Sequence, residues 1–156
     1  VKRIKPGGKL KMIKKENLKI YAPLILRLGL AVVFFLFGYQ KLSVPEQTRA
    51  EIQLLLDIGL GSTAAINYYL GLIEIVIAFG FVLGAFIGYL APLAAFLLFG
   101  FFSSFMWKYG LNTDPTLFRD IGLLGGALSL WLTGSGIFSF DNWRSKSVDE
   151  VATLSQ

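Results

Sequence analysis

The chain has 156 residues, of which 54% are hydrophobic and 16% are charged. Soluble domains carry about 25% charged residues, so this composition favours a single membrane-embedded domain. The chain has neither Cys nor His, which excludes disulfides, thiol redox chemistry, thiolate metal sites, His-ligated haem and histidine acid–base catalysis. We therefore expect no metal site, and no redox cofactor bound by this chain alone.

The net charge of +5 is concentrated at the start of the chain. Residues 1–21 hold eight Lys/Arg against one acidic residue. We interpret them as a cytoplasmic N-terminal segment that obeys the positive-inside rule. A full-length apolar run follows with no small-x-small cleavage site, so we expect the segment not to be a cleaved signal peptide. It contains no stacking or base-reading motif, so we expect no nucleic-acid partner.

Long uncharged runs predict an all-α membrane protein, a four-transmembrane-helix bundle within residues 22–141 and a cytoplasmic tail over 142–156. A helical span needs about 20 residues to cross the roughly 30 Å apolar core of a bilayer. Residues 67–107 carry only one charge, Glu74, and are too long for one span. A turn at Gly84 would divide them into two antiparallel neighbours. The predicted spans are residues 22–42, 67–83, 85–106 and 116–136.

The two loops outside these spans carry their own signals. Within Pro45 to Ile58, Ile52, Leu55 and Leu56 are spaced three and four apart, with Thr48 one turn earlier. This predicts a short amphipathic helix in the first extracytoplasmic loop, which Gly59 and Gly61 would end. Asp114 followed by Pro115 is a typical start for the fourth span.

Orientation follows from the positions of Lys and Arg. The basic first segment outweighs every loop, so we expect a multi-pass protein of the prokaryotic plasma membrane with both termini cytoplasmic.

Ionisable residues within spans are costly and usually have a partner inside the bundle. Counting residues from the cytoplasmic ends of the spans predicts a pair between Arg27 and Glu74. At the outer side it predicts that Asp120 pairs with Lys41 or Lys108. Such pairs either fix the packing of the helices or line a polar pocket, and the sequence leaves both readings open.

Small residues four apart, Gly122 and Gly126 among them, predict close helix packing in the fourth span. Gly134 and Gly136 lack the strand–turn–helix context of a dinucleotide-binding loop.

Three segments together resemble the DoxX family. They are LRLGLAVVFFLFGYQKL from Leu26, GLIEIVIAFGFVLG from Gly71, and FRDIGLLGGALSLWLTGSGIFSFD from Phe118. The last motif has Ile137 where the family often carries a basic residue. The positions that match the family's pattern are Arg27, Gly38, Lys41, Glu74, Asp120, Gly134, Gly136, Ser139 and Asp141.

The resemblance implies a small membrane subunit of the kind associated with quinol oxidase and thiosulfate:quinone oxidoreductase. The leading hypothesis is a DoxX-like integral membrane subunit, non-catalytic by itself, in a quinone-linked complex. It would have membrane lipids and other subunits, or copies of itself, as partners, and a quinone or a lipid as ligand. The alternatives are a small transporter or lipid-handling protein that uses Glu74 in a polar cavity, and a pure oligomeric scaffold.

Overall fold

The computed structural model describes residues 19–110 and 118–154, and the side chains up to residue 147. Most of the basic segment and the expected Asp114–Pro115 helix start lie outside these residues. The described residues form helices and connections and contain no strand. The helices are α1 Ala22–Ser43, α2 Gln53–Asp57, α3 Thr63–Leu83, α4 Ile87–Tyr109, α5 Phe118–Thr133 and α6 Phe140–Leu154.

Three of these helices are long and apolar enough to cross a membrane. They are α1, α3 and α4, with 22, 21 and 23 residues. Their positions confirm the first three predicted spans to within a few residues. Helix α5 falls within the predicted fourth span, and its described part has 16 residues, which extend over about 24 Å.

The turn between α3 and α4 lies at Gly84, as predicted. Gly84 has φ +65° and ψ +36°, and the next backbone N–H, that of Ala85, donates to the carbonyl of Gly80 at 3.0 Å. A left-handed residue at a helix C-terminus is most often glycine, because a Cβ there costs about 1–2 kcal/mol.

The closest helix pair is α1 with α3, which run antiparallel and cross at Gly38 and Gly71. A Cβ on Gly38 would lie 2.7 Å from the carbonyl oxygen of Gly71, so the two backbones touch. Helix α5 packs mainly on α4 and more lightly on α1, and α3 contacts α4 only lightly despite their short turn. The core lies between these helices and includes Leu30, Phe34, Ile77, Phe81, Ala91, Ala94, Leu98, Ala127 and Leu130.

The connection between α1 and α3 folds over one end of the bundle. Its helix, α2, is shorter than the predicted Pro45–Ile58 segment, since residues 45–52 form turns. The carbonyl of Pro45 accepts from Thr48 Oγ1 at 3.0 Å and from Asn67 Nδ2 at 2.8 Å. Side-chain bonds of this kind compete with regular helix formation. Gly59, with φ +76°, follows α2 as expected.

Candidate functional site

The residues singled out from the sequence separate into two clusters at opposite ends of the bundle. We name the ends after their buried cations, the Lys41 end and the Arg27 end. Gly38, Lys41, Glu74 and Asp120 lie toward the Lys41 end. Arg27, Gly134, Gly136, Ser139 and Asp141 lie at the Arg27 end.

Lys41 and Glu74 form a buried ion pair between α1 and α3. Lys41 Nζ donates to Glu74 Oε1 at 3.1 Å, and the two side chains are 2% and 1% exposed. Side chains of a helix lean toward its N-terminus. Because α1 and α3 are antiparallel, Lys41 leans along α1 toward the level of Glu74, and Glu74 leans back toward Lys41.

The predicted Arg27–Glu74 pair is therefore wrong. The Arg27 side chain lies against Gly84, which is ten residues along the chain from Glu74, a rise of about 15 Å. The prediction set the ends of the first two spans, Ala22 and Leu83, at the same depth, whereas the turn at Gly84 is level with Arg27. The same lean of helical side chains directs Arg27 and Glu74 away from each other.

The Arg27 end is a structural junction. Arg27 is fully buried, and its Nη2 donates to the carbonyl of Phe138 at 2.6 Å. Asp141 accepts from the backbone N–H groups of Phe86 at 2.8 Å and Ile87 at 3.0 Å. Asp141 thus caps the N-terminus of α4 from another part of the chain.

The remaining motif residues shape this junction. Gly134 and Gly136 both have positive φ, and Gly136 lies against Pro23 at the start of α1. Ser139 Oγ donates to the carbonyl of Gly136 at 2.6 Å and accepts from the N–H of Asn142 at 3.2 Å. These contacts hold the start of α6 in place.

At the Lys41 end the predicted partners of Asp120 are also corrected. Asp120 Oδ1 accepts from its neighbour Arg119 at 3.4 Å, and Lys108 pairs instead with Asp57 at 3.2 Å. Hydrogen bonds from Gln53 and Lys108 lower the pKa of Asp57 below its usual range. Helix α2 supplies Asp57, so the fold of the connection decides which partner Lys108 finds.

A cavity of about 240 Å³ lies beside the buried pair, and Lys41 and Asp120 both line it. Its other lining residues are Phe37, Gln47, Ala50, Glu51, Leu98, Phe101, Phe105 and Arg119. Lys41 Nζ lies 5.5 Å from the ring centroid of Phe37 and 5.1 Å from that of Phe101, and Arg119 lies 5.1 Å from that of Phe37. Both cations thus face aromatic rings, an attractive arrangement.

The charges around this cavity nearly balance. Lys41 and Arg119 are positive, and Glu51, Asp120 and the adjoining Glu74 can be negative. Glu74 Oε2 is buried and has no hydrogen-bond partner among the described residues. The arrangement suits a compact group that both accepts and donates hydrogen bonds, and it does not favour a strongly anionic group.

Glu51 and Arg119 are charged residues of this site that the sequence did not reveal. Lys41 Nζ bonds Glu51 Oε2 at 2.9 Å as well as Glu74, so Glu51 ties the connection to the bundle. Its spacing of three from Thr48, which is buried, was the available signal that it lies at the inner edge.

A family model named DoxX matches residues 22–108. The match includes α1, α3 and nearly all of α4, together with Arg27, Lys41 and Glu74. The searches of curated proteins and of solved structures find no match. Since the matched segment is more than half of the chain and contains three helices that can cross a membrane, this chain is an integral membrane protein of the DoxX family.

Proposed function

We propose that the chain is a subunit of a quinone-linked membrane complex, non-catalytic by itself, and that it binds the head of a quinone in the cavity at the Lys41 end. The observation that carries the proposal is this cavity, where Lys41 and Arg119 meet three phenylalanine rings. A quinone head is a flat ring with carbonyl oxygens. Its ring can stack on the phenylalanine side chains, and its carbonyl oxygens can accept hydrogen bonds from the two cations.

The size and charge of the cavity favour a quinone over a phospholipid head. Pockets for drug-sized ligands measure about 300–1,000 Å³, so a cavity of about 240 Å³ suits a single ring. A phosphate group would need excess positive charge, but the two cations here face Glu51, Asp120 and Glu74. A neutral ring with two acceptors requires no such excess.

The chain's own residues would bind and orient this head. The Lys41 ammonium and the Arg119 guanidinium supply the donors for its carbonyl oxygens. Phe37, Phe101 and Phe105 supply faces and edges for stacking. Glu51 and Asp120 are carboxylates that can accept a proton from a reduced head. A bound quinone would supply two-electron, two-proton redox chemistry.

The electron donor or acceptor would belong to another subunit. The sequence has no Cys and no His, the residues that most often hold iron–sulfur clusters and haem. Gentle extraction of native membranes followed by native mass spectrometry tests this association. Co-migration with a cofactor-bearing oxidoreductase supports the subunit role, and recovery of the chain alone or only with its own copies argues for a transport or scaffold role.

We also propose that α5 is the fourth span and that both termini are cytoplasmic. Helix α5 lies along α4 and α1 and leads from Asp120 at the Lys41 end to Gly134 at the Arg27 end. Its described residues extend over about 24 Å of a bilayer core of roughly 30 Å. The basic first segment supports the cytoplasmic assignment.

Binding to the purified chain tests the quinone site directly. The full chain in lipid nanodiscs is titrated with a tail-less dimethoxy-methyl benzoquinone, and binding is measured by equilibrium dialysis. Loss of one charge-assisted hydrogen bond in Arg119→Gln should weaken binding about tenfold. Arg49→Gln is the matched control, because Arg49 is exposed and its ion pair within the described part of the chain is with Glu46. Equal affinity of the unchanged chain, Arg119→Gln and Arg49→Gln for the benzoquinone would refute the site.

A transport or lipid-handling role for Glu74 is the second candidate, favoured by the unpartnered Oε2. It requires an accessible cavity around Glu74, whereas the side chain is 1% exposed and paired with Lys41. Solute or lipid flux into proteoliposomes that Glu74→Gln abolishes would support it. The scaffold alternative predicts instead that Glu74→Gln leaves the host activity intact, while bulky residues at Gly122 or Gly126 prevent assembly.

A further inference from the structure

A second, apolar groove opens between α3 and α4 at the Lys41 end. Its volume is about 300 Å³. Leu70 forms the wall on α3, Phe96, Leu97 and Gly100 form the wall on α4, and Leu54 and Leu55 close it from the connection. Phe96 is 70% exposed on a helix that can span the bilayer, so the α4 side of the groove can be reached from lipid.

The groove exists because α3 and α4 pack lightly on each other and α4 has a glycine at this level. A Cβ placed on Gly100 would meet nothing within 4 Å. The space beside Gly100 is therefore not needed for contact with any described part of the chain.

The groove adjoins the cavity that holds Lys41. Glu51 and Phe101 line both spaces. The cavity side of this boundary has Lys41, Arg119 and Asp120, and the groove side is nearly all apolar. A single molecule that lies across the boundary would meet polar groups at one end and hydrocarbon along the other.

We infer that this groove holds the tail of the quinone and is the route by which the head enters the cavity sideways from the membrane. The inference rests on the proposed function, since it requires a head in the Lys41 cavity. The ligand class that fits is an amphiphile with a polar head and a flexible hydrocarbon or isoprenoid tail. A further cavity shares Ala50, Glu51 and Phe105 with the Lys41 cavity, but Asp57 and Lys108 line it, so the apolar groove beside Leu70 suits a tail better.

The groove acts by its shape. A tail that moves from lipid into the groove exchanges one apolar environment for another, so hydrophobic burial gives little net free energy. Filling the groove should therefore reduce the binding of a tailed quinone by steric exclusion and leave a tail-less head unaffected. This difference separates a tail groove from a general effect on the head site.

The experiment compares Gly100→Trp with Gly88→Trp in the full chain in nanodiscs. Both glycines lie on α4, and a Cβ at either meets nothing within 4 Å, but Gly88 is near the Arg27 end and lines no described cavity. The probes are the tail-less benzoquinone and the same head with a decyl tail. We expect Gly100→Trp to weaken binding of the decyl quinone about tenfold, the scale of a steric overlap in a packed site. Gly88→Trp should bind both probes as the unchanged chain does.

The other outcomes decide against the groove. If Gly100→Trp binds both quinones normally, or weakens both equally, the tail lies elsewhere, and the head site still stands. If the unchanged chain binds neither quinone, the proposed function fails and the groove assignment fails with it. If Gly100→Trp does not fold, Leu70→Trp fills the groove from the α3 side, and the same difference between the two probes is required of it.

Discussion

The Lys41–Glu74 pair places two opposite charges inside an otherwise apolar contact between α1 and α3. Removing water from two ions is costly, and their attraction offsets the cost only while both are present. Lys41 has a second carboxylate, Glu51, which is 39% exposed, whereas Glu74 has no other charged partner among the described residues. Loss of Lys41 alone should therefore destabilise the bundle more than loss of both Lys41 and Glu74, because it leaves Glu74 buried without a charged partner.

A change at Lys41 should leave Glu74 buried and unpaired. We expect Lys41→Met to lower the free energy of unfolding by about 3–5 kcal/mol, the usual cost of breaking a buried pair. The double variant Lys41→Met/Glu74→Leu should regain most of this loss. Both are measured by thermal unfolding of the purified chain in detergent.

Lys108→Met provides the control, because the Lys108–Asp57 pair is exposed and exposed pairs contribute little. It should unfold near the temperature of the unchanged chain. A double variant that is no more stable than Lys41→Met would show that the pair does not act as a unit.

The glycine at the α3–α4 turn should not tolerate a side chain. At Gly84 a Cβ would overlap Arg27 Nη1 and lie 2.6 Å from the Cβ of Ser139, and φ is +65°. We expect Gly84→Ala to lower the free energy of unfolding by more than the roughly 1–2 kcal/mol of a left-handed alanine alone. Gly88→Ala, in open space on α4, should be neutral or stabilising. Equal effects of the two substitutions, measured by thermal unfolding, would contradict the packing described for Arg27.

From the sequence one can predict which charged side chains are buried, but not their partners. Arg27, Lys41, Glu74 and Asp120 stand out as charges in apolar runs. Pairing them requires the depth of each helix end, and an error of six residues at Gly84 exchanges one cation for the other. Gly38 and Gly71 lie three residues before Lys41 and Glu74, and this shared spacing was a usable sign that the two charges belong together.

Among the elements, the segment from Gly134 to Asp141 connects the end of α5 to two other helices. It contacts α1 through Arg27 and Pro23, and it contacts the α3–α4 turn through Asp141. The backbone N–H of Asp141 also donates to the carbonyl of Gly84 at 3.2 Å. The motif thus fixes the Arg27 end of the bundle.

Loss of the Asp141 carboxylate should weaken this junction. Asp141→Ala removes the acceptor for two N–H groups at the start of α4, and we expect it to cost about 1–2 kcal/mol of stability, as for other helix caps. Asp57→Ala, whose carboxylate is exposed, should have little effect. Hydrogen exchange of the Phe86 and Ile87 amides measures the local effect, and unchanged exchange in Asp141→Ala would count against the cap.

Hydropathy predicts the three spanning helices well, because the thickness of the bilayer sets their lengths. The turn between α3 and α4 is predicted because it needs one left-handed residue, the glycine at position 84. They predict the first connection less well. There, bonds from Thr48 and Asn67 to one carbonyl of Pro45 override the helical spacing of Ile52 and Leu55. Helix α6 was not predicted, because it is polar and shows no apolar stripe.

In the molecule as a whole, the residues of the family's motifs lie at two opposite ends. Those at the Lys41 end lie at or near a polar cavity, and those at the Arg27 end form a structural junction. The fold class follows from the apolar runs alone. The cavity does not, because it forms only where the first connection folds back and brings Glu51 to Lys41. Residues far apart in sequence, such as Phe37, Phe101 and Arg119, then share one space.

The proposed topology predicts that the two ends lie on opposite sides of the membrane. The sequence has no Cys, so a single introduced cysteine can be labelled without background. In intact cells a membrane-impermeant maleimide should label Glu46→Cys, in the first connection, and should label Ser145→Cys, in α6, only after permeabilisation. Labelling of both from outside would show that the ends share one side and would remove α5 as a span.

The most direct test of the quinone site is to map where a quinone binds. The full chain in native membranes is irradiated with an azide-bearing benzoquinone, digested, and its adducts are located by mass spectrometry. We expect adducts within residues 37–41 and 101–105 that excess unlabelled benzoquinone suppresses. Adducts at residues 138–141, or labelling that the excess does not suppress, would contradict a quinone site at the Lys41 end.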